Sequence, residues 1–223
     1  MKALIFGATG MVGRGVLREC LLDPAVLLVA TLGRSAVGVQ SAKLVEIVHR
    51  DLEDYAGIED RLRGFDACFF CLGVSSAGMK ETEYERLTYG FTMGAAEMLC
   101  RLNPGLTLIY VSGAGTDSTE KGPIMWARVK GRTENGLLRL PLEAYMFRPG
   151  VIEPLDGIKS KTAAYRIPYM LAKPLLPLLR WALPNQIVTT RMIGQAMLHV
   201  ARHGYAKRIL EIKDIRLAAQ SEG

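Results

Sequence analysis

Gly7-Ala8-Thr9-Gly10-Met11-Val12-Gly13 is the stretch on which the fold turns. It follows a short apolar run, Lys2–Phe6, and opens an amphipathic segment, Met11–Leu22, with Val12, Val16 and Leu17 on one face. A strand, a glycine-rich turn and a helix in that order make a cradle for phosphate. One glycine allows the sharp turn, one lets backbone approach the phosphates, and one lets helix and strand pack closely. The helix N-terminus adds free N–H groups and the positive end of its dipole. The spacing is G-x-x-G-x-x-G rather than the commoner G-x-G-x-x-G. Its place at residue 7, inside a βαβ unit, favours dinucleotide binding over a merely structural turn.

Outward from this loop, β-rich and helical patterns alternate. Residues 26–32, 44–48, 66–72, 106–112 and 143–147 read as strands, and 54–62, 83–102 and 126–138 as helices. The run 66–72 is nearly all apolar, as a strand buried on both faces must be. In 83–102 the residues Leu87, Phe91, Ala95, Met98 and Leu102 keep helical spacing, and Asn103-Pro104-Gly105 ends it. After Pro149 come a helix over 192–203 and a last strand over 208–212. The pattern predicts an α/β fold, a Rossmann-like doubly wound parallel sheet. Residues 1–223 are expected to form a single NAD(P)-binding domain, with 150–192 as a small basic C-terminal lid.

Composition narrows the class. The 223 residues are 49% hydrophobic and 22% charged, which excludes a disordered chain. Aromatics at 7% and 23 glycines suit tight strand-to-helix turns better than a β-sandwich. Cys20, Cys68, Cys71 and Cys100 are too scattered for a disulfide scaffold and fit a reducing compartment, so the expected location is cytoplasmic. The first apolar run is too short for a signal segment. The nearest approach to a membrane span, 167–183, is broken by Lys173, Arg180, Pro168, Pro174 and Pro177. The formal net charge of +6 equals the charge of 157–192, where Lys159, Lys161, Arg166, Lys173, Arg180 and Arg191 face no acid. That segment has three readings: a cationic surface, a lid over an anionic substrate, or a peripheral contact with anionic lipid or an acidic partner. Nucleic acid is a poor fit, because the charge is modest and no recognition motif is present.

NAD-specific sites carry an acid at the end of the second strand, to hold the ribose 2′-hydroxyl. Here that position reads Thr31-Leu32-Gly33-Arg34-Ser35. An arginine can fork onto a 2′-phosphate, which points to NADP(H) over NAD. Asp51-Leu52, after the third strand, would edge the adenine or be an ordinary exposed loop aspartate with its neighbour.

Cys68-Phe69-Phe70-Cys71 lies within a strand, where residues three apart face opposite sides, so these thiols read as core. His199 and His203 have helical spacing, but no acid or thiol joins them, and His49 adds nothing. No metal site is expected.

The opening GATGMVGRG, the strand end Cys71-Leu72-Gly73, the strand end Tyr110-Val111-Ser112-Gly113 and the helix Val129-Lys130-Gly131 resemble the atypical short-chain dehydrogenase/reductases. Within that superfamily the chain is most similar to the small NAD(P)H-binding proteins related to the human Tat-interacting protein and to bacterial epimerase-like homologues. The resemblance is strong over residues 1–150 and looser beyond. It implies cofactor contacts from Gly7, Thr9, Gly10, Met11, Val12, Gly13, Arg34, Ser35, Asp51, Leu52, Leu72, Gly73, Ser112, Lys130, Pro149 and Val151. It also implies a catalytic Ser after the fifth strand and Tyr-x-x-x-Lys on the next helix, acting on a small-molecule substrate that the sequence does not name. Ser112 and Lys130 match that set. The Tyr position holds Trp126, whose indole N–H does not ionise usefully. Tyr110 reads as core, while Tyr165 and Tyr169 fall in the basic segment.

Overall fold

The computed structural model describes residues 1–158 and 186–221; the stretch 159–185, with Tyr165, Tyr169 and most of the expected lid, lies outside the described residues. Seven parallel strands form the main sheet: β1 (Lys2–Phe6), β2 (Leu28–Gly33), β3 (Leu44–Val48), β4 (Ala67–Phe70), β5 (Thr107–Val111), β6 (Glu143–Arg148) and β9 (Ile209–Glu211). Their spatial order is β3-β2-β1-β4-β5-β6-β9. The direction of winding reverses between β1 and β4, which pair from Ala3 with Ala67 to Phe6 with Phe70. In open parallel sheets the ligand crevice opens beyond the carboxyl ends of the strands at such a reversal.

Helices cover both faces. On one side lie α1 (Met11–Leu22), α5 (Thr190–His203) and α6 (Ile212–Gln220); on the other lie α3 (Phe91–Leu102) and α4 (Met125–Leu138). Strand residues alternate between the two core layers. Ile5, Phe69, Ile109 and Phe147 meet Val16, Ile193, Met197 and Ile215; Leu4, Phe6, Phe70 and Tyr110 meet Leu62, Leu99 and Leu137. Phe6 stacks on Phe70 at 4.9 Å. Burial on both faces is why these strands read as continuous apolar runs.

Three features go beyond the sequence pattern. The long helix starts as α2 (Glu81–Glu85), passes through a π turn at Arg86–Gly90 and continues as α3. There the Phe91 N–H reaches the Arg86 carbonyl, and the Thr92 hydroxyl donates to the Thr88 carbonyl at 2.5 Å. Next, β7 (Val151–Glu153) and β8 (Ile187–Thr189) form a separate parallel pair, too short to leave a period. Finally, residues after β9 form α6, fastened by a capping box between Glu211 and Asp214. The polar run 54–62 is a 3-10 helix over Ala56–Leu62. The expected helix stop at Asn103 is a buried clasp: its amide accepts from the Phe65 N–H at 3.0 Å and donates to the Leu62 carbonyl at 2.9 Å.

Candidate functional site at the carboxyl edge of the sheet

The loop from β1 to α1 is shaped by missing side chains. Gly7 has φ +75°, and a Cβ there would stand 2.7–2.8 Å from the backbone of Cys71 and Leu72. A Cβ at Gly13 would stand 2.3 Å from the Gly7 carbonyl oxygen. These contacts press the loop onto the end of β4 and the first turn of α1 onto the loop. Gly10 differs: a Cβ there would meet only the Gly7 oxygen, at 3.3 Å, and would otherwise project into the space over the helix end. Gly10 is also the N-cap of α1. No side chain caps that end, and its first turn holds no acid. The uncapped N–H groups and the cradle that a Cβ would fill suit an anionic group such as a pyrophosphate. Thr9, Met11 and Val12 are half-buried around this end.

The part of this edge at the ends of β5 and β6 is built from charge. On α4, Trp126, Lys130 and Glu134 recur every four residues and so share one face. The Lys130 ammonium donates to the Ser112 carbonyl at 2.5 Å. Burial pulls its pKa down to about 8, against the field of Glu134, which raises it. The six-membered edge of Trp126 lies over the loop after β5, 3.6 Å from where a Gly115 Cβ would stand. Ser112 turns its hydroxyl inward, donating to Glu134 Oε1 at 2.5 Å with the Phe147 carbonyl at 3.1 Å. Glu134 is fully buried and also accepts from Arg148 Nε at 3.0 Å and Nη2 at 2.5 Å. Arg148 extends the network to Ser118 Oγ at 2.6 Å and Glu211 Oε1 at 3.1 Å. Pattern reading missed Glu134 and gave Arg148 no role. A signal was present: an acid on the inward face of a helix that follows a basic residue by one turn, with an arginine ending a buried strand.

The other expected site residues occupy the same edge with different exposures. Arg34 and Ser35 are exposed just after β2, and Asp51 is exposed after β3. Leu52 is buried in the core. Leu72, half-buried, and Gly73, exposed, follow β4, and Pro149 follows β6, where its carbonyl accepts the Ala114 N–H at 2.8 Å. Val151 starts β7 with its side chain exposed. Tyr110 is in the core as expected, and burial pushes its phenol far above the ordinary range. Cys68 packs into one core layer and Cys71 against the other; burial raises both thiols, Cys71 to about 12. Among the described residues, no group of three or more His, Cys, Asp or Glu could hold a metal, and no helix is long and apolar enough to cross a membrane.

No family model matches the chain. It is 25% identical over 182 residues to "Protein FMP52-1, mitochondrial" of Scheffersomyces stipitis, spanning 78% of this chain and 79% of that one. It is 30% identical over 156 residues to "Protein fmp52, mitochondrial" of Emericella nidulans, spanning 66% and 65%. This second match thus covers just under two thirds of the relative's length. These names correct the expectation of a cytoplasmic protein. The error has a physical source: unpaired cysteines report reducing surroundings, which more than one compartment provides. Among solved structures, a short chain dehydrogenase family protein from Francisella tularensis superposes with a TM-score of 0.70 at 14% identity, over 97% of this chain and 98% of that one. The Bordetella bronchiseptica enzyme WbmF, solved in complex with NAD+, superposes with a TM-score of 0.68 at 12% identity, over 99% and 77%. The strand order, the reversal beside the glycine loop and these superpositions agree: this chain is a Rossmann-like α/β protein with the fold of the short-chain dehydrogenase/reductase superfamily.

Proposed function

We propose that this protein binds a nicotinamide dinucleotide across the β1–β4 crevice, prefers NADP(H), and works as an oxidoreductase with an altered proton-transfer apparatus. The observation that carries this reading is the cradle at Gly7, Gly10 and Gly13, with the uncapped N-terminus of α1 above it. In this reading Gly7, Thr9, Gly10, Met11, Val12 and Gly13 hold the pyrophosphate. Arg34 and Ser35 take the 2′-phosphate, Asp51 and Leu52 edge the adenine, and Leu72 and Gly73 line the middle of the crevice. Ser112, Lys130, Pro149 and Val151 form the nicotinamide end. The bound cofactor supplies hydride exchange. The chain itself must orient the reactants, exclude water and handle one proton.

Lys130 is the side chain suited to that proton. With a pKa of about 8 its ammonium is acidic enough to give a proton near neutrality and basic enough to recover it. Trp126 shapes the pocket but cannot ionise usefully. Arg34 supports the NADP(H) preference because it stands exposed, with no acid beside it in the turn, where a 2′-hydroxyl would call for a carboxylate.

Two observations favour a second reading, a non-catalytic NADPH-binding redox sensor. A tryptophan stands where the proton donor belongs, and the Ser112 hydroxyl is committed to Glu134. Fluorescence titration with NADPH and NADH tests the shared part, since the chain holds 2 tryptophans, Trp126 and Trp181. Bound NADPH should quench Trp126, NADH should bind more weakly, and Trp126→Phe should lose the quenching. Failure of both nucleotides to bind sinks both readings. Stereospecific NADPH oxidation with any member of a carbonyl panel selects the enzyme; binding without turnover across the panel selects the sensor.

A further inference from the structure

The network behind Lys130 contains more charge than stability calls for. A buried Arg–Glu pair can often be exchanged for apolar residues at no loss of stability, because removing two ions from water costs about what their attraction returns. Here the pair joins five segments. Glu134 comes from α4, Arg148 from the end of β6, Ser112 from the end of β5, Ser118 from the following loop and Glu211 from the N-cap of α6. Backbone bonds run in parallel: the Ser112 N–H donates to the Phe147 carbonyl at 2.9 Å, and the Ala114 N–H to that of Pro149 at 2.8 Å. The ends of β5 and β6 are therefore held together from behind and along their edges.

We propose that Glu134 and Arg148 are positioning residues of this site: they commit the Ser112 side chain to the interior and leave the Ser112 main-chain carbonyl as the seat of the Lys130 ammonium. This inference rests on the reading of Ser112 and Lys130 as the nicotinamide end of the crevice. The serine hydroxyl carries one proton, and both acceptors within reach, Glu134 Oε1 and the Phe147 carbonyl, lie behind the strand end. Ser112 is only 7% exposed, so turning its hydroxyl outward would strip a donor from a carboxylate with no access to water. Lys130 instead uses a backbone acceptor that no side-chain substitution at 112 removes. The charged group whose field reaches Lys130 is Glu134, one turn along the same helix, and burial opposes it. The network thus holds the ammonium in place and also tunes how readily it gives up its proton.

The test uses the full chain without nucleotide, labelled with ε-13C lysine. The Lys130 signal is identified by its loss in Lys130→Arg and followed by NMR from about pH 6 to about pH 11. Wild type should titrate at about 8. Ser112→Ala should leave that midpoint in place, because the carbonyl remains. Glu134→Gln should lower it by about one unit, since the opposing field is gone. If Glu134→Gln does not fold, the double variant Glu134→Met/Arg148→Met, with an apolar pair of similar size, should lower it in the same direction but by less, because the opposing guanidinium charge leaves with the carboxylate. A folded Glu134 variant with the wild-type midpoint would overturn the proposal, because a merely structural brace changes melting and not titration. So would a shift in Ser112→Ala as large as that in Glu134→Gln, which would make the hydroxyl the anchor. NADPH titration of wild type is the separate arm. Absence of binding with the expected NMR shifts removes the cofactor reading and leaves the brace. Binding with an unmoved Glu134 midpoint removes the brace alone.

Discussion

The glycine loop after β1 and the corner formed by β5, α4 and β6 both stand at the carboxyl edge of the sheet and are made from opposite materials. The loop works because side chains are missing: Gly7 and Gly13 let backbone touch backbone where a Cβ would stand 2.3–2.8 Å from its neighbours. The corner works because charged side chains are present and buried, with Glu134 accepting from Ser112 and Arg148. The loop is steric and local, and its parts lie within seven consecutive residues. The corner is electrostatic and non-local, and its parts come from residues 112 to 211. Damage to the first should therefore appear as overlap, and damage to the second as an uncompensated charge.

The largest expected effect breaks the charged corner. Glu134→Ala takes away the buried carboxylate that pairs with Arg148, leaving it only Ser118 and the half-exposed Glu211, and should cost about 3–5 kcal/mol in urea unfolding. Next comes the loop: Gly13→Ala puts a methyl group onto the Gly7 carbonyl and should cost about 1–3 kcal/mol, with dinucleotide affinity lost alongside. A Gly13→Ala protein of wild-type stability and affinity would break the contrast between the two regions.

Arg34→Ala sharpens the comparison from the cofactor side. It should weaken NADPH about tenfold to a hundredfold and leave NADH unchanged, as isothermal titration would read, because the contact proposed for it is charge-assisted and made to the 2′-phosphate alone.

A pH series probes the corner again, more gently. Burial lowers the Lys130 pKa from its ordinary 10.5 to about 8. Between these values the unfolded chain holds a proton that the folded chain has released, so the Lys130 contribution to stability rises with pH across that window. Below about pH 8 the penalty of a buried ammonium is present in full. Chemical denaturation at stepped pH should show wild type gaining on Lys130→Met from about pH 8 to about pH 10.5 and running parallel to it below. The smallest effect is that of Ser112→Ala, about 1 kcal/mol for one donor lost from a carboxylate that keeps two others.

The same division governs how much could be read in advance. The β1 loop, the doubly wound order and the buried strands follow from local rules: glycine where backbone must crowd, apolar runs where both faces are covered. The place of Cys68 and Cys71 on opposite layers follows from strand alternation alone. The π turn at Arg86–Gly90 escaped because its residues fit an uninterrupted helix equally well. Helix α6 escaped although Glu211 and Asp214 carry its capping box, because the β-rich run before it claimed Ile212 for a strand. The short β7–β8 pair joins segments more than thirty residues apart by three-residue strands, too few to leave a period.

By itself the sequence determined the architecture, the glycine loop, the arginine beyond β2 and the tryptophan at position 126, since each is a matter of residue type at a local position. Only the tertiary structure decided what Ser112, Lys130, Glu134 and Arg148 do. A hydroxyl or an ammonium takes its role from the partner it meets and the water it loses, and both are set by strands and helices that come together from distant parts of the chain.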